Sequence, residues 1–471
     1  MNYDVVIIGA GPAGIFSALE LVNSGLKIAI FEKGNPLDQR HCQVLQGKPC
    51  IRCVPCHLLC GWGGAGAFSD GKLTLSKEVG GWLSEYVDDK VLDDLINYVN
   101  LMFSRFGKIK PPNPIDMDEV EKIRKKAILA DLRLIPYTVN HLGTEVAQRA
   151  LRNMYDHISK SIDIFFRKPV KRILTEDKKV IGIELKNGEK VYAKYVIVAP
   201  GREGADWFKE EAKRLGIKLK LSLVDIGVRV EVPAEVMEPL TNVLYEPKFE
   251  YFTKRFDDRV RTFCVNPYGF VTLEVYSDTV LVNGQSYRDK KSNNTNFAIL
   301  VSSSFTEPFK SPIEYAKHVA RLANMLSGGS VIVQRLGDLI MGRRSTPERI
   351  KKSIVEPTLK LAVPGDLSFV IPYRHLSDII EMLKAIDKVA PGVYSEHTLL
   401  YGVEAKFYTA HIDVKSNMES PYIKNLYTIG DGAGITRGLM QASISGVIAA
   451  RDILLKEKIK VSREIEISKN V

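Results

Sequence analysis

The sequence has few cysteines and no repeated or compositionally biased segment. Only six of its 471 residues are cysteine, and five of those six lie between positions 42 and 60. So low a count excludes a small secreted scaffold held together by disulfides, and it makes the cluster a candidate catalytic or metal-binding site. With 45% hydrophobic and 26% charged residues, the chain is not disordered or fibrous. Its length predicts two or three domains.

The sequence predicts neither a signal peptide nor a membrane span. The first apolar run, residues 5–22, is interrupted by three glycines, Pro12 and Glu20. Such interruptions indicate a strand, a turn and a helix rather than a membrane span. We therefore expect a cytoplasmic protein.

The charge pattern does not indicate a nucleic-acid partner. The formal net charge is +10, and basic stretches such as 122–126 are flanked by acidic residues. Aromatic residues are not interleaved with a basic run, as they are in many RNA-binding surfaces. The basic residues therefore predict a solvated surface and no nucleic-acid binding.

A glycine-rich turn near the start of the chain predicts a dinucleotide site. Gly9, Gly11 and Gly14 form a G-x-G-x-x-G motif between an apolar strand and a helix, and Glu32 follows at the end of the next strand. The glycines permit a tight turn beside a pyrophosphate, and the helix N-terminus adds partial positive charge. The carboxylate of Glu32 can accept hydrogen bonds from ribose hydroxyls, which disfavours NADP. The predicted contacts of this segment are Gly9, Gly11, Pro12, Ala13, Gly14, Glu32 and Lys33.

Two later segments favour FAD over NAD. Residues 427–434, YTIGDGAG, place Asp431 at a strand end before a glycine turn, and residues 195–201 form a buried strand that runs into Gly201. An acid at a strand end can bind a polyol, and FAD has a ribityl chain that NAD lacks. Because no second complete fingerprint is present, the electrons are expected from transiently bound NAD(P)H, a redox partner protein or the substrate.

These segments resemble the glutathione-reductase-type FAD fold with a single dinucleotide-binding domain. Further motifs narrow the resemblance to the prokaryotic family of uncharacterised FAD-dependent dehydrogenases. They are GWGGAGAFSDGKL (61–73), RTFCVNPYGF (261–270), NGQS, PTLKLAVPGDL (357–367), LLYGVEAKFY (399–408) and GDGAGITRGLMQASISG (430–446). The resemblance spans nearly the whole chain. It implies an α/β fold, in which a Rossmann-like FAD domain with a three-stranded crossover carries an inserted mixed α+β substrate domain.

The resemblance also assigns roles to individual residues. The first glycine turn and Glu32 would hold the ADP half of FAD, Val170 the adenine, and Asp431 the ribityl chain or pyrophosphate. The loop after the second strand would lie against the isoalloxazine ring, where Ser69, Asp70 and Lys72 could contact flavin or substrate; alternatively, Ser69 or Asp70 caps a helix. Arg40 is either a phosphate ligand or a surface residue. The remaining predicted cofactor contacts are Arg40, Gly63, Gly64, Ala65, Gly66, Ser69, Val170, Ala199, Gly201, Gly430, Asp431, Gly432, Ala433 and Gly434.

The clustered cysteines admit three interpretations. Cys50, Cys53, Cys56 and Cys60 have the C-x2-C-x2-C-x3-C spacing of iron–sulfur ligands, although Gly61 replaces the proline that usually follows. Cys42 offers a second quartet with the first three, suited to zinc or a cluster. The alternatives are a redox-active dithiol that passes electrons to flavin and a set of inert thiols.

Three further residues of the later part of the chain are candidates for catalysis. Cys264, Arg344 and Glu404 could react with, bind or exchange protons with a substrate, Glu404 together with Lys406 on one strand face. Their structural alternatives are a small buried hydrophobe, a surface charge and an ordinary ion pair.

The sequence thus predicts an FAD-dependent oxidoreductase that moves a hydride between flavin and a small organic substrate. The alternatives are an electron-transfer flavoprotein that relays electrons from the cysteine site to a partner, and a flavin-bearing RNA-binding or RNA-modifying protein. The predicted segments are 1–79 (FAD domain, with the cysteine-rich loop 42–60), 80–139 (helical excursion), 140–219 (FAD domain), 220–360 (substrate domain) and 361–471 (FAD domain).

Overall fold

The structure of the chain is a computed structural model. It describes residues 1–43, 51–109, 115–220, 224–275, 279–287, 290–303, 305, 309, 311–407 and 411–460. Cys50 and the residues at 110–114, within the predicted helical excursion, therefore lie outside the described residues.

The described chain contains both strands and helices, with runs of consecutive strands at β6–β9 and β12–β16. The strands are β1 (Asn2–Ile8), β2 (Ile28–Phe31), β3 (Lys72–Leu75), β4 (Arg133–Ile135), β5 (Thr138–His141), β6 (Asp163–Phe165), β7 (Val170–Glu176), β8 (Lys179–Leu185), β9 (Lys190–Val198), β10 (Leu219–Lys220), β11 (Val224–Pro233), β12 (Lys248–Phe252), β13 (Arg259–Asn266), β14 (Phe270–Val275), β15 (Val280–Gln285), β16 (Asn294–Ser303), β17 (Ile332–Arg335), β18 (Val363–Pro364), β19 (Leu399–Phe407), β20 (His411–Ile412) and β21 (Leu426–Thr428). The α-helices are α1 (Pro12–Leu21), α2 (Asp89–Gly107), α3 (Met117–Leu129), α4 (Thr144–Ile158), α5 (Ala205–Arg214), α6 (Ala234–Leu244), α7 (Pro312–Leu326), α8 (Leu336–Ile340), α9 (Pro347–Lys351), α10 (Tyr373–Asp387) and α11 (Gly438–Lys456). Short 3-10 helices cover Leu37–Gln39, Gly64–Phe68, Leu83–Glu85, Leu367–Phe369 and Asp431–Ala433.

The chain divides into two units, and the first is built on a parallel sheet. Strands β6, β2, β1, β9 and β21 are parallel neighbours, and β7, β8 and β9 form an antiparallel three-stranded crossover. This is the topology that the sequence predicted. Helices α1 and α11 pack together so closely that a Cβ on Gly446 would lie 2.1 Å from the carbonyl oxygen of Ala13.

The second unit is a mixed α+β domain around an eight-stranded sheet. The strand order is β18-β17-β19-β11-β16-β13-β12-β4, and β14 and β15 form a separate hairpin. Helices α3, α6, α7 and α10 contribute to one hydrophobic core with this sheet. Alternation of buried valines along β11 points one row of side chains into that core.

The unit boundaries differ from the predicted segments at two places. The first unit comprises 1–111, 144–220 and 409–471, and the second comprises 112–143 and 221–408. Residues 361–408 fall in the second unit because β18 and β19 pair within its sheet. The predicted helical excursion is divided between the units, and it ends in the strand β4, which pairs with β12.

One helix of the described chain is long and apolar enough to cross a membrane. This is α11, and 67% of its most apolar window is buried within the protein. Since the core helix of a globular domain meets the same criterion, the helix is weak support for a span. The apolar run at 5–22 forms β1 and α1, as the sequence indicated.

Candidate functional site

The first glycine turn combines two tightly packed glycines with one that faces open space. Gly9 has φ +100°, and a Cβ there would lie 2.2 Å from the carbonyl oxygen of Ala199. A Cβ on Gly14 would lie 2.1 Å from the carbonyl oxygen of Gly9. A Cβ on Gly11, by contrast, would find no atom nearer than Gly64 Cα at 4.0 Å. The first and third glycines are thus required by the fold, and Gly11 leaves room for a ligand beside the start of α1.

Glu32 holds three backbone segments together around this turn. Its Oε2 accepts a hydrogen bond from the amide of Ala10 (2.8 Å). Its Oε1 accepts from the amides of Gly34 (2.7 Å) and Gly61 (2.9 Å). The side chain is 6% exposed. The carboxylate therefore has a structural role that the sequence did not reveal, and the predicted contact with ribose remains a prediction.

Arg40 is buried, and its side chain does not point toward the solvent. It is 3% exposed, and its guanidinium donates to the carbonyl oxygens of four residues: His57 (2.9 Å), Leu58 (2.8 Å), Trp62 (2.6 Å) and Gly64 (2.9 Å). Burial lowers the pKa of this guanidinium to about 10. Both sequence interpretations of Arg40 thus give way to a third, in which it fixes the course of residues 57–64.

The loop after β2 folds into the 3-10 helix Gly64–Phe68. The amide of Gly63 donates to the carbonyl oxygen of Ala10 (2.8 Å), and the indole of Trp62 donates to that of Leu151 (2.7 Å). Ser69 ends the 3-10 helix, because its hydroxyl donates to the carbonyl oxygen of Gly66 (2.9 Å). The proposed helix start at Ser69 or Asp70 is therefore wrong.

Asp70 and Lys72 form an ion pair at the start of β3. The ammonium of Lys72 lies 3.2 Å from a carboxylate oxygen of Asp70, and the two side chains are 10% and 15% exposed. The structure thus brings these two predicted catalytic candidates together. An ion pair so little exposed can hold a charge, or move a proton, next to a neighbouring ligand.

The turn after β21 is organised by Asp431. One carboxylate oxygen accepts from the hydroxyl of Thr436 (2.9 Å), and the other accepts from the amide of Gly438 (3.2 Å). Burial raises the pKa of this carboxyl, and Arg202 opposes that shift. A Cβ on Gly432 would lie 2.4 Å from the carbonyl oxygen of Gly201, so the two loops meet backbone to backbone. Gly432, Ala433 and Gly434 therefore build the turn, and Asp431 presents its side chain beside it.

A cleft of about 290 Å³ connects these pieces within the first unit. Its lining has the features that FAD requires: an open glycine at a helix start, a carboxylate at each of two strand ends, and an apolar wall. Most of the predicted cofactor residues border it: Gly9, Gly11, Pro12, Ala13, Glu32, Lys33, Gly64, Ala65, Gly66, Ser69, Val170, Ala199, Gly201, Gly430 and Asp431. The predicted residues that are absent from its lining are Gly14, Arg40, Gly63, Gly432, Ala433 and Gly434.

The sequence missed part of this lining. Arg202 follows the predicted Gly201 directly and Trp207 lies six residues after it, whereas Lys168 and Lys186 come from the crossover. Nearness to Gly201 could have suggested the first two. Nothing in the local sequence marks the two lysines, because they reach the cleft only through the pairing of the crossover strands.

The cysteine-rich loop contains no metal site among the residues that the structure describes. No group of three or more His, Cys, Asp or Glu side chains there is placed to hold an ion, and Cys50 lies outside those residues. Cys42, Cys53, Cys56 and Cys60 are not disulfide-bonded. Cys60 borders the cleft, and burial raises the pKa of its thiol to about 11. Burial also raises the pKa of Cys56.

The catalytic candidates of the second unit occupy different environments. Glu404 is fully buried and paired with Arg229, and its Oε1 lies 3.2 Å from the ammonium of Lys406. The ion-pair alternative therefore describes it best. Cys264 is half-buried with φ +46°, and its sulfur accepts a hydrogen bond from the amide group of Asn266 (3.6 Å). Arg344 is exposed on the segment before α9, as a surface charge would be.

Comparison with known proteins finds two segments of the chain that are similar to described families. Residues 4–45 match the FAD binding domain family, and residues 224–407 match the family described as FAD-dependent protein, C-terminal domain-like. An uncharacterized protein of Clostridium beijerinckii is 28% identical over 472 residues, covering 96% of this chain and 80% of that protein.

Two solved structures that align with nearly the whole chain share little sequence identity with it. Glycine oxidase of Geobacillus kaustophilus is 12% identical, with coverage of 100% of this chain and 99% of that chain and a TM-score of 0.37. Quinol fumarate reductase FrdA of E. coli is 13% identical, with coverage of 99% and 72% and a TM-score of 0.40.

The glycine turn, the crossover topology and the cleft, taken with the match at residues 4–45, define an FAD-binding protein. The match at residues 224–407 shows that the second unit is similar to the family described as FAD-dependent protein, C-terminal domain-like, in agreement with the resemblance seen in the sequence.

Proposed function

We propose that this protein is an FAD-dependent oxidoreductase that transfers a hydride between the flavin and a small organic substrate. The observation that carries the proposal is the cleft in the first unit that the open Gly11, the anchored Glu32 and Asp431 line together. FAD, when bound, supplies two-electron hydride chemistry at its ring.

The residues of the chain would hold and polarise that cofactor. The start of α1 and the turn at Gly11 would bind the pyrophosphate through backbone amides. Asp431 would accept hydrogen bonds from the ribityl hydroxyls. The loop at Gly64–Gly66, which Arg40 and Glu32 fix in place, would present amides toward the ring and stabilise negative charge there. The Asp70–Lys72 pair would hold a proton near the same loop.

The test is to purify the protein anaerobically, record its visible spectrum and quantify the FAD released on denaturation. We expect about one FAD per chain, and bleaching of the flavin bands on addition of NADH, NADPH or a substrate from a panel of small alcohols, amines and acids. If the protein fails to bind FAD even after incubation with an excess of the cofactor, the proposal is wrong.

Electron relay through the cysteine loop is the second candidate. It is supported by backbone amides that donate hydrogen bonds to two cysteine sulfurs. The sulfur of Cys53 accepts from the amide of His57 (3.4 Å), and the sulfur of Cys56 accepts from the amides of Leu58 and Leu59. Amides directed at sulfur stabilise thiolates and metal thiolates. Iron, zinc and acid-labile sulfide, assayed on the anaerobic sample, distinguish the candidates. Iron and sulfide in stoichiometric amounts would favour relay to a partner protein, and their absence would favour direct hydride transfer.

A further inference from the structure

A second cavity of the first unit lies before the start of β21, whereas the cleft lies beyond the end of that strand. The cavity measures about 340 Å³, and its lining has no residue in common with that of the cleft. It is bordered by the tip of the β7–β8 hairpin, by the loop 415–424 and by the last residue of α11: Lys178, Lys415, Glu419, Ser420, Pro421, Tyr422, Lys424 and Lys456. The proposed cofactor site therefore leaves this cavity without a role.

Two of the lysines that border the cavity are held side by side by the backbone. The amide of Lys424 donates to the carbonyl oxygen of Lys178 (2.8 Å), and the amide of Val180 donates to the carbonyl oxygen of Lys424 (3.1 Å). Among the residues that the structure describes, none forms an ion pair or a hydrogen bond with either ammonium. Like charges on adjacent backbone segments repel each other. The fold therefore carries an electrostatic cost at this point, and a bound anion would remove it.

The other two lysines of the cavity share a carboxylate, that of Glu419. This side chain is 7% exposed, and it lies 3.0 Å from the ammonium of Lys456 and 3.3 Å from that of Lys415. It also accepts a hydrogen bond from the amide of Asn425 (2.9 Å). Lys456 has a second partner in Asp452, at 3.0 Å. Since the four lysines of the lining face only these two carboxylates, the cavity keeps an excess of two positive charges.

A buried hydroxyl adds a hydrogen-bond donor to the cavity. Ser420 is 1% exposed, and its Oγ accepts from the amides of Tyr422 (3.2 Å) and Ile423 (3.3 Å). No described residue accepts the proton of this hydroxyl, so the proton is available to a ligand. Pro421 and Tyr422 contribute carbon atoms to the same lining. The volume is within the range of small-molecule sites, which leaves room for an organic group beside an anion.

We propose that this cavity binds a small phosphate monoester, at a site separate from the cleft. A phosphate monoester carries about two negative charges at neutral pH and offers about three acceptor oxygens. The charge matches the excess of two in the cavity. The oxygens match the ammonium groups of Lys178 and Lys424 and the hydroxyl of Ser420. The proposal does not depend on the reaction that takes place at the flavin.

The test is isothermal titration calorimetry of the full chain, first saturated with FAD so that the cleft is occupied. The probes are glycerol 3-phosphate, glucose 6-phosphate and phenyl phosphate, and each is compared with its parent compound, glycerol, glucose or phenol. At least one monoester should bind about tenfold or more tightly than its parent, because the parent lacks the charge. Inorganic phosphate should bind more weakly than that monoester, because it lacks the organic group.

Two matched double variants connect the binding to the cavity. Lys178→Met/Lys424→Met should lower the affinity for the monoester by about tenfold or more, because both unpartnered charges are gone. Lys90→Met/Lys160→Met removes the same net charge from two exposed lysines of the first unit that do not line the cavity. This control should bind the monoester like the wild type.

Protection of lysines gives a second measurement on the wild-type protein. The bound monoester should protect Lys178 and Lys424, but not Lys90, from acetylation by an N-hydroxysuccinimide ester, read by peptide mass spectrometry. The proposal is overturned if no monoester binds more tightly than its parent, if Lys178→Met/Lys424→Met binds it unchanged, or if inorganic phosphate binds equally well. Binding of polyglutamate alone, lost in the same double variant, would overturn it in favour of a docking surface for an acidic protein.

Discussion

Arg229 and Glu404 form a two-pronged ion pair in which neither side chain is exposed. The guanidinium Nε lies 2.7 Å from Oε2, and Nη2 lies 2.6 Å from Oε1. Arg229 also donates to the carbonyl oxygen of Cys264 (2.8 Å) and to the side chain of Asn296 (3.1 Å). A Cβ on Gly284 would lie 2.5 Å from the guanidinium, so the hairpin carrying this glycine presses against the pair.

Glu404→Gln is expected to destabilise the second unit rather than alter a proton-transfer step. It leaves the buried guanidinium of Arg229 without its countercharge, which costs about 3–5 kcal/mol in similar buried pairs. Urea denaturation should therefore show a lower free energy of unfolding, while the flavin spectrum of the folded protein stays as in the wild type. The double variant Arg229→Met/Glu404→Met should recover part of the loss. A Glu404→Gln protein with full stability and abolished turnover would restore Glu404 as a catalytic residue.

Two glycine substitutions should separate folding from cofactor binding. Gly11→Val places its side chain in open space with φ −80°, so the protein should fold with a near-normal melting temperature but retain little FAD. Gly9→Ala puts a Cβ 2.2 Å from a carbonyl oxygen at φ +100° and should lower the melting temperature itself. Differential scanning calorimetry and FAD content, measured on both variants, check the pair. Equal loss of stability in both would contradict the assignment of Gly11 to the cleft.

Arg40→Met should disorder the loop beside the cleft. The variant removes a buried guanidinium that donates to four carbonyl oxygens, each hydrogen bond to a charged group being worth about 1.5–3 kcal/mol. Because the contributions of the four hydrogen bonds are not fully additive, we expect the free energy of unfolding to fall by about 3 kcal/mol or more. FAD affinity should fall as well, and limited proteolysis should cut within 57–64. Arg124→Met, an exposed helix residue paired only with Glu121, is the control and should change stability by less than about 1 kcal/mol.

The thiol of Cys60 should be unreactive at neutral pH and should make stability fall in alkali. Its pKa is raised from 9.0 to about 11 in the folded protein, so the folded state holds the proton more tightly than the unfolded state. The stabilisation is fully present below about pH 9 and is lost as the pH rises toward 11. Unfolding free energies measured between pH 8 and pH 11 should therefore decline more steeply for the wild type than for Cys60→Ala.

Alkylation provides an independent check on Cys60. Iodoacetamide at pH 7.5 should label Cys60 only after denaturation, whereas Cys42, which is partly exposed, should be labelled in the native protein. Rapid native labelling of Cys60 would show that its thiol is neither buried nor protonated as described.

The sequence predicted the parts of this fold that depend on local pattern. The glycine turn between β1 and α1 follows from residues that are close together in the sequence, and the crossover strands were implied by the family resemblance. The roles of Arg40 and Glu404 could not be predicted in this way. Each role depends on groups that are distant in the sequence or on backbone carbonyls that carry no sequence signal. Arg229 is 175 residues from Glu404 and meets it only because β11 pairs with β19.

The contact between α1 and α11 sets an order in which the two units can be completed during synthesis. Gly446 sits against Ala13, and the hydroxyl of Ser17 donates to the carbonyl oxygen of Gly446 (3.1 Å), more than four hundred residues along the chain. A ribosome releases the long segment 221–408 of the second unit before it has made α11. The side of α1 that contacts α11 therefore stays uncovered until α11 has been made. The cleft, which α11 lines through Leu439 and Ala442, is therefore complete only after that helix has been made, by which time segment 221–408 has already been released.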